Sequence, residues 1–91
     1  MLFRSAELRQ KKMLPIRSRV TARRVEDYAD WAVHSGEIFV YVLEGTLIVH
    51  SEHYAPLRLA AGDSLYYDAS SAHIWLSEGD ADAEVLWVHA A

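Results

Sequence analysis

A chain of 91 residues makes one domain, and its apolar fraction of 52% excludes a disordered chain. The absence of cysteine excludes disulfides, thiol catalysis and cysteine-ligated zinc, and the net charge of −4 gives no electrostatic case for nucleic-acid binding by this chain alone. No apolar run approaches the ~18–20 residues of a membrane span, and the start lacks the apolar core and cleavage site of a signal peptide, so a cytoplasmic location is expected.

Residues 5–12, SAELRQKK, could form one or two helical turns with Ser5 as N-cap, bounded by Pro15. Residues 1–14 are therefore read as an extension or linker and 15–91 as the folded barrel. Eight of the nine Lys and Arg side chains lie between Arg4 and Arg24, while most of the 13 acids follow. That basic third either meets an acidic partner or nucleic acid, or pairs with the acidic remainder of the protein itself. The net acidity favours the second. Ile16, Ser18, Val20 and Ala22 alternate with Arg17, Arg19, Thr21 and Arg23, as in a half-buried strand with arginine on its solvent face.

After a polar connection at 26–30 the chain reads as strand after strand. Residues 38–43 are β-branched and aromatic. Glu44-Gly45 supplies a tight turn, and 46–50 are expected to run back as a hairpin partner. Further strands are expected at 54–60, 64–67, 73–76 and 84–89, divided by short Gly, Asp and Ser turns. This pattern predicts an all-β sandwich or barrel. The strands at 38–43 and 84–89 are apolar on both faces. Their outer face must be covered by the N-terminal strand or by a second subunit, and a homodimer is expected.

Two segments, HSGEIFVYVLEG (34–45) and LAAGDSLYYDASSAHIWLSEGD (59–80), together with the closing LWVHA (86–90), resemble the cupin family. The wording is most similar to the C-terminal cupin domain of helix-turn-helix transcriptional regulators. The resemblance implies an all-β cupin barrel, also called a double-stranded β-helix or jelly roll. In metal-binding cupins the first motif carries His-x-His, then Glu, then Gly; the matching positions here are Ala32, His34, Ile38 and Gly45. The second motif places Gly62, Asp68, Ser70, His73 and Ser77 at its fixed positions. His34 and His73 thus match ligands, while Ala32 and Ile38 do not. Glu37 stands one residue early, which turns it to the opposite face unless Gly36 supports a bulge.

The resemblance therefore implies a reduced metal set: His34 and His73, with Glu37 as a third donor if the strand bulges. Iron, manganese and catalytic zinc sites use three protein ligands, so a divalent transition metal would be loosely held. Ligand positions of the family point inward, and parity then places His34, Ile38, Val40 and Val42 on one inner strand and His73 and Trp75 on another. Mostly apolar walls with a few polar groups describe a small-molecule site, although small barrels also fill their interior with side chains. In the first case His34 and His73 meet an anionic or carbonyl-bearing ligand and Trp75 stacks on it. His50, Glu52 and His53 at one turn read as solvated, and the serines have no positioned base.

Three functions follow. The favoured one is a non-enzymatic small-molecule-binding sensor or regulatory module related to transcriptional regulators. The others are a metal-dependent isomerase or dioxygenase with a reduced ligand set, and a structural barrel with a filled interior.

Overall fold

The computed structural model describes residues 13–33 and 35–90. The helical turns expected at 5–12 and the side chain of His34 lie outside them. Among the described residues seven strands follow in order: β1 (Met13–Val20), β2 (Glu37–Glu44), β3 (Thr46–Ser51), β4 (Leu57–Ala60), β5 (Ser64–Asp68), β6 (His73–Ser77) and β7 (Ala83–Ala90). A 3-10 turn at Val25–Asp27 joins β1 to the segment before β2. Among the described residues no helix is long and apolar enough to cross a membrane.

The strands form two antiparallel sheets, ordered β1-β7-β2-β5 and β4-β3-β6. Alternation in the sequence decides which side chains meet between them. On β2, Ile38, Val40 and Val42 are buried while Phe39, Tyr41 and Leu43 face out. Val20, Val85 and Ala83 join them from the same sheet, and Leu47, Val49 and Leu59 close the core from the other. On β1 the expected alternation holds: Arg17 and Arg19 point outward, and both bind the Glu84 carboxylate at 2.7 and 2.9 Å. Arg23 likewise pairs with Asp82 at 2.8 Å. Three of the four described arginines of the basic third thus pair with the protein's own acids. β1 itself begins at Met13, two residues before the barrel start read from Pro15.

One expectation fails. β3 is not the hairpin partner of β2, because β2 lies between β7 and β5 while β3 pairs with β4 and β6. Gly45 explains the departure. Its φ of +77° is open to glycine and costly for other residues, and an added Cβ would come within 3.0 Å of the Ala83 Cα. The chain can therefore turn out of one sheet and into the other at this point, hard against the start of β7. A Glu-Gly turn signals a sharp reversal but not which sheet the next strand joins.

Candidate functional site

β6 and the segment before β2 are stitched together by a reciprocal bridge. Ala32 N–H donates to the His73 carbonyl and His73 N–H to the Ala32 carbonyl, each at 3.0 Å. This places Ala32 beside His73, and β2 brings Ile38 to the same place. A cavity of about 160 Å³ opens there, lined by Tyr28, Ala32, Ile38, His73, Ile74, Trp75 and Trp87. Of the residues expected to form a ligand site, Ile38, His73 and Trp75 share this cavity. Val40 and Val42 do not line it. They continue along β2 into the closed core at 0% exposure.

A chain of polar contacts fixes the cavity wall. The His73 Nδ1–H donates to the Ser71 carbonyl at 3.0 Å, since a carbonyl can only accept. In a neutral ring this assigns the proton to Nδ1. The Tyr67 ring stands edge-on to His73, with centroids 5.1 Å apart. Trp75 Nε1–H donates to the Tyr67 hydroxyl at 3.0 Å, and the Trp75 carbonyl accepts the Tyr28 hydroxyl at 2.7 Å. Trp87 meets Trp75 at 89° and donates its indole N–H to the Ser18 hydroxyl. Each aromatic ring is thus anchored through a polar atom, which limits collapse of the cavity.

Burial pushes the Tyr67 hydroxyl up to about 12, partly offset by the hydrogen bond from Trp75. Because the folded value exceeds the unfolded one near 10, this group's contribution to stability is complete below pH ~10. It is lost as pH rises through about 12. In an alkaline titration followed by tyrosinate absorbance, Tyr67→Phe should remove the latest-ionising tyrosine and flatten the alkaline loss of stability.

The residues present do not fit a tightly held metal. Two ligand positions of the metal-binding pattern, Ala32 and Ile38, line the cavity but carry no donor atom. Glu37 is removed from the set as well. It starts β2 in regular register opposite Asp68 and Ala90 and faces outward, where its carboxylate accepts the Tyr66 hydroxyl. Gly36 does not bulge the strand; the irregularity in β2 comes later, between Val42 and Glu44. Among the described residues no three His, Cys, Asp or Glu side chains gather as a metal site. Ser77 has become structural: its buried hydroxyl donates to the Val20 carbonyl at 2.6 Å and accepts the Ala83 N–H at 2.8 Å.

Two wall residues, Tyr28 and Ile74, escaped the sequence reading, and a third, Trp87, has no more definite place in it than wall, interface or core. Tyr28 sits in a polar connection 47 positions from the carbonyl it binds. Trp87 lies on a strand that is apolar on both faces, so its inward direction had no pattern to show it. Ile74 has the parity opposite to His73, yet it too is buried, at 2% exposure. A second opening of about 430 Å³ lies between β3, β4 and β5, lined among others by Tyr54, Leu65, Tyr67 and Asp68. Among the described residues it holds none of those expected to bind ligand, and the Tyr67 ring stands between it and His73.

Two facing antiparallel sheets around a cavity at these motif positions define a double-stranded β-helix domain. A cupin domain family model matches residues 24–89, and the chain belongs to the cupin family. No curated protein matches the chain. Among solved structures, Fe(II) HppE in complex with substrate is 22% identical, with a TM-score of 0.74 over 86% of this chain and 45% of its own. Hydroxypropylphosphonic acid epoxidase from S. wedmorenis, in complex with fosfomycin, is 21% identical with the same TM-score, over 86% of this chain and 43% of its own. A Co(II) HppE complex with substrate is 20% identical, with a TM-score of 0.72 over 86% of this chain and 44% of its own. The chain spans less than half the length of these structures, and the likeness is one of fold.

Proposed function

We propose that this cupin domain is a non-enzymatic, homodimeric small-molecule-binding module, of the sensor or regulatory kind, with its ligand in the cavity under Tyr28 and Ala32. The observation that supports this reading is the replacement of donors by Ala32 and Ile38 around a cavity that still exists. A site that lost its metal and filled would have no such space. At about 160 Å³ it matches a single six-membered ring, since apolar cavities of ~150 Å³ hold benzene. Trp75 and Trp87 offer ring faces and edges, and His73 is the polar group in the wall. The ligand class is thus a small ring compound bearing one polar substituent.

Phenol and benzoate are the first probes, with tryptophan fluorescence as the readout because two indoles form the wall. Saturable quenching is expected in the wild type. Ala32→Phe, which fills the mouth from an exposed position, should weaken it at least about tenfold while leaving the unfolding transition in place. Phenol binding more tightly than benzoate at neutral pH supports a neutral ring ligand, and the reverse order supports an anion. Quenching that survives Ala32→Phe unchanged would show that the cavity is not the site.

A further inference from the structure

The four-stranded sheet has an outer face that does not look like a solvent face. Its register lays Pro15, Val88, Phe39 and Tyr66 in one row across the strands, and Arg17, Leu86, Tyr41 and Ser64 in the next. A half-exposed antiparallel sheet ordinarily carries polar side chains there. Here Phe39, Tyr41, Tyr66 and Leu86 are all exposed, Tyr66 at 63%. A groove of about 320 Å³ runs through the patch beside Phe39, Tyr66 and Val88.

We infer that a second copy of this chain covers this face, in an isologous pair whose strands cross at close to a right angle. The inference rests on the homodimer proposed above and names its surface and orientation. Size is the first argument. Four strands at ~4.8 Å spacing and rows ~6.8 Å apart give a face of about 20 by 20 Å in projection. With side-chain relief that is the order of the ~800 Å² per partner of a stable interface.

Charge placement is the second. Arg17 and Arg19 occupy one corner of the face, at the edge strand β1, with side chains 68% and 63% exposed. Each spends Nε and Nη2 on Glu84. Glu37 and Asp68 sit at the diagonally opposite corner, on β2 and β5. A two-fold pair maps this face onto itself. A two-fold axis along the other diagonal sets each arginine corner over the acidic corner of the other copy. At the spacings above, it brings Arg17 of one copy to Glu37 of the other and Leu86 to Phe39. Orthogonal crossing is one of the two packings that sheets adopt.

Sedimentation velocity of the full chain over a concentration series tests this. The wild type should be a dimer. Leu86→Glu, which puts a charge at the centre of the patch, should weaken it at least about a hundredfold with an unchanged circular dichroism spectrum. Arg17→Glu and Glu37→Arg should each weaken the dimer about tenfold or more, and the double reversal should restore most of the loss. If Leu86→Glu disturbs the fold, the reversal series decides alone. A monomeric wild type would overturn the homodimer itself. A dimer indifferent to Leu86→Glu and to both reversals would leave the homodimer standing and overturn this face.

Discussion

Ile38→Glu should destabilise the metal-free protein by about 3–5 kcal/mol, the cost of an uncompensated charge in a buried place. Ile38 is 1% exposed and lines the cavity at the position that the motif resemblance assigns to a glutamate. Adding Ala32→His should convert that loss into a metal-dependent gain. The double variant presents two of the missing donors to the cavity that His73 already lines, with His34 the fourth position of the pattern. Cobalt or nickel at about 1,000 times its Kd would then return ~4 kcal/mol. Thermal unfolding with and without added metal reads both effects. The wild type should show no comparable metal-dependent shift. If the double variant gains nothing from metal, the positions do not converge as the structure places them, and the account of a site emptied of donors fails.

The second large effect is expected at Ser77. Its side chain is buried and serves three strands at once: the hydroxyl joins the end of β1 at Val20 to the start of β7 at Ala83 from a position on β6. Its backbone N–H also donates to the Ala22 carbonyl at 2.8 Å. Ser77→Ala removes one donor and one acceptor and leaves two backbone groups unpaired. Each such loss costs about 1–3 kcal/mol, so a total near 3 kcal/mol is expected. In a domain of this size that lowers Tm by roughly 10–20 °C. Urea or thermal unfolding measures it. A loss under about 1 kcal/mol would mean that water replaces the hydroxyl and that the junction is less closed than drawn.

Much of this architecture could be read from residue pattern. Strand positions follow from alternation and turn residues, and the inward parity of β2 is correct for Ile38, Val40 and Val42. Arginine on the outer face of β1 follows from the same rule. Sheet membership could not be read at Gly45, because a hairpin and a crossing between sheets use the same turn chemistry. Parity also stops where a strand is covered on both sides. Trp87 therefore has no place from pattern more definite than wall, interface or core, Ile74 enters the cavity wall against its parity, and Val40 and Val42, correctly inward, lie in the core rather than on the wall. Tyr28 reaches the site through a contact distant in sequence, which no local pattern carries. Glu37 was placed by the one-residue offset alone, and regular pairing at the start of β2 keeps it outside.

The central claim is that the cavity beside His73 holds an organic ligand and not a metal. The most direct measurement is the transition-metal content of protein purified without a His tag or chelator, by plasma mass spectrometry. The account predicts well under one equivalent of any single metal per chain, with no change in stability after dialysis against chelator. One equivalent of a single transition metal, retained through purification, would contradict it and restore the enzyme reading.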